Sequence, residues 1–148
     1  MRIKIINGPN LNMLGKRQPE IYGTLSFEAY FATLEASFPA HELHYFQSNH
    51  EGALIDAIQE LMEGGYDGLV INPAAYTHTS IAIADALAML PVPIVEVHIS
   101  NIYEREAFRQ HSYVAPLALA TIAGKGLEGY KMALELILNS TTNGCLPA

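Results

Sequence analysis

Apolar positions along this chain change rhythm repeatedly, and each change marks the edge of an element. Arg2 to Asn7 (RIKIIN) is rich in β-branched residues and reads as a strand. Ser26 can cap a helix, and Phe27, Tyr30, Phe31, Leu34 and Phe38 follow at helical spacing until Pro39. Glu42 to Gln47 (ELHYFQ) predicts a second strand. From about Glu51, residues Leu54, Ile55, Ile58, Leu61 and Met62 form one helical face, stopped by Gly64-Gly65. Gly68 to Asn72 (GLVIN) is a short apolar strand with a polar end. Thr77 or Thr79 is expected to cap an apolar helix reaching about Met89. Val92 to Val97 predicts the fourth strand and Leu117 to Ala123 the fifth. Gly124 turns into a last helix, Leu127 to Leu138, and 140–148 reads as a frayed tail.

Strands alternating with helices specify an α/β fold. The runs Leu69 to Ile71 and Ile94 to Val97 are continuously apolar, as strands covered on both faces must be. The expectation is one domain over residues 1–148, with a five-stranded parallel sheet sandwiched between helices in three layers. In such sheets ligands bind outside the carboxyl ends of the strands. Those ends are Asn7 to Tyr22, Asn72 to Ser80 and His98 to His111, and they carry the suggestive polar residues. Pro39-Ala40-His41 and Gly64-Gly65-Tyr66, at the opposite ends, look like plain turns.

Composition narrows the function. The net charge is -7 with eight Lys plus Arg, too few for a basic face that would grip nucleic acid. Arg17, Arg105 and Arg109 fall in two polar loops, either to receive a small anion or as ordinary surface arginines. Cys145 is the only cysteine, so no intrachain disulfide forms and a reducing compartment is allowed. Ile3 to Ile6 is too short for a signal peptide. The apolar region Ile81 to Val97 is interrupted by Asp85, Pro91, Pro93 and Glu96, which rules it out as a membrane span. A cytoplasmic location is therefore expected. The chain has no phosphate-cradling G-x-x-x-x-G-K-[ST] or G-x-G-x-x-G loop. His41, His44 and His50 flank the second strand without ligand spacing, so no metal site is expected.

The candidate chemistry sits in five places. The long loop Asn7 to Gly23 offers Arg17 and Tyr22, and its length suits a folded flap over a small polar substrate. Tyrosine titrates near ~10, and a guanidinium close by favours the phenolate. By itself, a loop tyrosine beside glycine reads as a residue that covers core, and that plainer reading is the stronger one for Tyr22 taken alone. Asn72 to Ser80 brings an amide, hydroxyls and His78 around a helix N-terminus, where a neutral imidazole is favoured over a cation. Glu96 and His98 lie two apart on a strand and point to the same side. A carboxylate beside an imidazole orients it and suits it to act as an acid. Arg109 can hold a carboxylate or a vicinal diol, or belong to a solvated helix face. Asp85, set in apolar Ile81 to Met89, reads either as a polar contact across a subunit interface or as a single exposed charge.

Taken together, the chain resembles the type II 3-dehydroquinate dehydratases. The resemblance rests on Asn7-Gly8-Pro9-Asn10-Leu11-Asn12 with Leu14-Gly15, Arg17 and Tyr22-Gly23; Gln47-Ser48-Asn49; Asn72-Pro73 with Thr77-His78-Thr79-Ser80; Glu96-Val97-His98-Ile99-Ser100-Asn101; and Phe108-Arg109 with His111-Ser112. It implies a flavodoxin-like fold and a metal-free, cofactor-free dehydration of 3-dehydroquinate through an enolate. By the same resemblance Tyr22 is the base, Arg17 stabilises its anion, His98 is the acid oriented by Glu96, and Asn10 helps hold the enolate. Asn72, His78, Ile99, Ser100 and Arg109 would bind substrate, and Asp85 would come from a neighbouring subunit of a dodecamer built from trimers. Departures are few. Gln18 stands where an acid is common, Ala74 replaces a frequent glycine and so asks for an allowed backbone angle at that turn, and Gln110 stands where a basic residue or proline is often seen.

Three other readings are open on this fold. A receiver-type signalling domain needs acids where Asn7 and Asn72 stand, and a flavin or nucleotide module needs a cradle that Pro9 disfavours. A Schiff-base dehydratase would turn on Lys4, which has no carboxylate neighbour in sequence.

Overall fold

The computed structural model describes residues 1–16, 20 and 24–142. Five parallel strands form one sheet: β1 (Arg2–Asn7), β2 (Glu42–Gln47), β3 (Gly68–Asn72), β4 (Ile94–His98) and β5 (Ala120–Ala123). Their order is β2-β1-β3-β4-β5, the flavodoxin-like order in which chain direction across the sheet reverses between β1 and β3. The central strands β3 and β4 are buried along their whole length, as their unbroken apolar runs require. β2, at an edge, buries only Leu43 fully.

Helices α1 (Phe27–Ser37) and α4 (Glu128–Thr142) cover one face, through a core of Phe27, Tyr30, Leu34, Tyr130 and Leu134 with Ile3 and Ile5. Helices α2 (Glu51–Gln59) and α3 (Ile81–Ala88) cover the other, through Leu54, Ile58, Ile83 and Leu87 with Ile6 and Ile71. Ser26 caps α1 as expected, its hydroxyl accepting from the Ala29 N–H at 3.2 Å.

Several boundaries differ from expectation. Neither Thr77 nor Thr79 caps α3. Ser80 does, accepting the Ile83 N–H at 3.0 Å, while residues 74–78 form a preceding 3-10 turn. The fifth strand is four residues long, because Pro116 sits in a 3-10 turn over Ala115–Leu117 that uses up the start of the apolar run. The last helix continues to Thr142, so 140–142 is not frayed, and residues 143–148 lie outside the described residues. His44 lies within β2 rather than at its end. Lys4 does have a carboxylate neighbour: its buried ammonium pairs with Glu60 and donates to the Ala57 carbonyl at 3.1 Å.

Two glycines are required by close approach. A methyl group at Gly8 would sit 2.4 Å from the Pro73 carbonyl oxygen, because the turns leaving β1 and β3 cross at the strand ends. One at Gly15, itself at φ +88°, would sit 2.7 Å from the Thr24 carbonyl oxygen, so the two feet of the loop between them touch. Among the described residues, no helix is long and apolar enough to cross a membrane.

Candidate active site

The cleft lies above the carboxyl ends of β1, β3 and β4, at the point where the strand order reverses. Asn10, Asn72, His78, His98, Ile99, Ser100, Arg105 and Arg109 line it, with Leu11, Met13, Leu14 and Ile102 as apolar wall. Its volume is about 160 Å³. The polar groups arrive on three connections, those leaving β1, β3 and β4, so no short stretch of sequence contains the site.

Glu96 and His98 occupy alternate positions on β4 and share a face. His98 Nε2 lies 2.6 Å from Glu96 Oε1. Glu96 has no exposed surface, and a carboxylate there must be satisfied inside the protein. Three hydroxyls do this. Thr77 and Ser112 donate to Oε1 at 2.6 and 2.8 Å, and Thr121 donates to Oε2 at 3.0 Å. Burial pushes the Glu96 carboxyl up, but the His98 contact and the hydroxyl bonds outweigh it and hold the group below the usual carboxylate range. Ser112 in turn accepts the Val114 and Ala115 N–H groups, which fixes its proton toward Glu96. The structure thus gives Thr77 a different task from capping, gives a role to Ser112, which the His111-Ser112 motif contained without one, and brings in Thr121, which no motif contained. Thr121 is paired in register with Glu96 across β4 and β5 and is the one polar side chain in its strand. A lone hydroxyl in an apolar strand was the available signal.

His78 stands on the 3-10 turn after β3. Its Nδ1–H donates to the His111 carbonyl at 2.7 Å, and its ring stacks 6.4 Å from that of His98. Partial burial lowers its pKa, and the neighbouring His98 and Arg109 act in the same direction against the His111 carbonyl. A neutral His78 agrees with the sequence expectation, though the cause is burial rather than a helix dipole. Arg109 Nε lies 3.0 Å from Glu106 Oε2, and Arg105 Nε lies 4.0 Å from the same oxygen. Arg105, noted in sequence only as a loop arginine, therefore joins Arg109 at the cleft wall.

At the strand ends, Asn7 and Asn72 are register partners on β1 and β3. The Tyr130 hydroxyl, carried on α4, lies between their side chains at 2.8 and 2.9 Å. Asn10 takes a left-handed backbone angle, φ 70°, and its N–H donates to Asn49 Oδ1 at 2.9 Å. Ala74 is left-handed too, at φ 54°, an angle that glycine takes freely and that is allowed to alanine at some cost. Asp85 is not in the cleft: it lies exposed on the outer face of α3. Arg17 and Tyr22 lie outside the described residues. Among the described residues no group of three His, Cys, Asp or Glu is placed to hold a metal ion.

The geometry has a counterpart in known proteins. A family model described as dehydroquinase class II matches residues 1–138. The chain belongs to the class II dehydroquinase family. It is 52% identical over 141 residues to a protein from Geotalea daltonii named 3-dehydroquinate dehydratase, a match covering 94% of this chain and 97% of that one. The type II dehydroquinase structure from Butyrivibrio crossotus superposes with a TM-score of 0.90 at 48% identity, over 93% of this chain and 97% of that one. The type II dehydroquinase from Propionibacterium acnes gives a TM-score of 0.89 at 42% identity, over 93% and 96%. A class II dehydroquinase is an enzyme, which sets aside the signalling and flavin-module readings of the same fold.

Proposed function

We propose that this class II dehydroquinase converts 3-dehydroquinate to 3-dehydroshikimate by an enolate route that needs no metal or cofactor. The proton lost is α to the substrate ketone, so the ketone itself makes it acidic. Tyr22, as a tyrosinate, removes that proton, and Arg17 stabilises the tyrosinate. The electron pair moves onto the ketone oxygen, where Asn10 holds the enolate by hydrogen bonding, through a water. The enolate then collapses. The double bond forms between the α and β carbons, the β-hydroxyl leaves, and His98 gives it the proton that makes it water. Glu96 takes no proton in this sequence and orients the ring by Nε2, which leaves Nδ1 for transfer. Asn72, His78, Ile99, Ser100 and Arg109 bind the substrate's hydroxyls and carboxylate, and Asp85 reaches the site from a neighbouring subunit of a dodecamer of trimers.

The observation that carries this reading is the buried Glu96–His98 pair, at 2.6 Å, at the wall of a small cleft lined by His78 and Arg109. An acid held in one orientation beside a neutral imidazole and the Arg109 guanidinium suits the loss of hydroxide from an anionic polyol. Purified protein given millimolar 3-dehydroquinate is expected to produce a conjugated enone carboxylate, followed as rising ultraviolet absorbance; a flat trace would sink the activity. Tyr22→Phe should keep the fold and lower kcat by about a hundredfold or more. His98→Ala should act on kcat more than on KM, and a pure KM effect would remove it as the acid.

A further inference from the structure

Tyr130 lies in none of the three connections that form the cleft. It belongs to α4, has no exposed surface, and does not line the cavity. Its hydroxyl nonetheless bridges the two asparagines at the ends of β1 and β3. An asparagine side chain is nearly symmetric in shape, so its neighbours decide which end is oxygen and which is nitrogen. Here one neighbour leaves no choice. The Ala74 backbone N–H can only donate, and it lies 3.0 Å from Asn72 Oδ1. Asn72 Nδ2 must therefore face the Tyr130 oxygen, at 2.9 Å. That oxygen accepts from Asn72, so its single proton goes to Asn7 Oδ1 at 2.8 Å.

We propose that Tyr130 is a positioning residue, whose phenol oxygen locks the Asn72 amide in the orientation it presents to substrate. The inference rests on the reading above that Asn72 binds substrate. With one N–H committed to Tyr130, Asn72 has a second N–H for a ligand hydroxyl, in a fixed direction. The same lock keeps Oδ1 on the Ala74 N–H. That bond holds a non-glycine residue in the left-handed region, at the start of the turn that delivers His78. Removing the phenol oxygen leaves a buried Asn72 N–H without its acceptor and frees the amide to rotate.

Tyr130→Phe changes neither cavity nor charge. It is expected to keep native circular dichroism and to lower kcat/KM about tenfold. Combined with Asn72→Ala, it should cost nothing beyond the Asn72→Ala loss, because the phenol acts through that amide. Losses that add, or a Tyr130→Phe enzyme with wild-type kcat/KM, would overturn the proposal. Should the Phe variant fail to fold, 4-aminophenylalanine at position 130 keeps the ring and a donor to Asn7 but cannot accept well from Asn72; it too should lose about tenfold, and full activity would overturn the proposal. A wild-type protein without turnover would instead defeat the dehydratase reading. The lock is then read directly from an atomic-resolution crystal structure, in which an Asn72 nitrogen facing Ala74 would overturn it.

Discussion

At the scale of single residues, the site depends on charges and dipoles that have been given fixed partners. Glu96 is the clearest case: three hydroxyls and an imidazole keep it anionic without solvent. His78 is the complement, a ring kept neutral chiefly by burial. Both make stability depend on acidity in the same direction. The depressed Glu96 pKa contributes stability above the ordinary carboxylate range, and this is lost as pH falls through the folded value. The depressed His78 pKa means the unfolded chain takes up a proton first, so stability falls as pH drops below about 6.5 toward the folded value. Denaturant midpoints should therefore fall between pH 7 and pH 5, and less steeply in His78→Gln. Equal slopes for the two proteins would show that His78 does not titrate on unfolding. The Glu96–His98 pair was legible in the sequence because an acid inside an apolar strand has to be explained. Its hydroxyl partners were not, because Thr77 and Ser112 sit on connections whose path only the folded chain reveals, and serine and threonine in loops have many ordinary uses. Tyr130 was hidden for a related reason. An aromatic residue on the apolar face of a helix looks like packing, and its ring is packing, against Phe27 at 4.8 Å; only its oxygen does more.

At the scale of elements, β1, β2, β3 and α1 have the bounds their residue patterns predict, since each has an unambiguous period and a clear stop at Asn7, Gln47, Asn72 or Pro39. The beginning of α3 was not so clear. Thr77, Thr79 and Ser80 are all acceptable caps, and sequence alone cannot rank neighbours that differ in backbone angle. The 3-10 turn decides it, because it withdraws Thr77 inward to Glu96 and leaves Ser80 with the extended backbone a cap needs. Ser80→Ala should then cost about 1 kcal/mol and lower Tm by about 2–4 °C, whereas Thr79→Ala should be near neutral. Calorimetry on the two variants checks this, and an equal loss in both would move the cap. The short β5 follows from alanine and proline in the same way. Alanine has weak strand preference, and Pro116 starts a turn where the apolar run alone had indicated strand.

At the scale of the whole molecule, a chain of net charge -7 has no overall field to draw in an anion, so on the proposed function the attraction has to come from a local concentration of cations. Arg105 and Arg109 provide this at the cleft wall. The outer face of α3 has another character. Ile81 is 59% exposed and Met89 52%, one turn before and one turn after the exposed Asp85. Apolar side chains framing a carboxylate make a poor solvent face and a suitable contact between copies. In sedimentation the wild type is expected as a multimer, Ile81→Glu as smaller species, and Asp85→Asn as an intact assembly with raised KM. A wild-type monomer with full activity would remove both the assembly and the role of Asp85. The touching feet at Gly15 and Thr24 have a consequence of a different kind. Because the chain leaves and re-enters the scaffold at nearly one point, Gly15 and Thr24 act as a clasp that a side chain would prise apart. Gly15→Ala is expected to lower kcat more than it lowers Tm, and a lowered Tm with unchanged kcat would show that the clasp serves the scaffold alone.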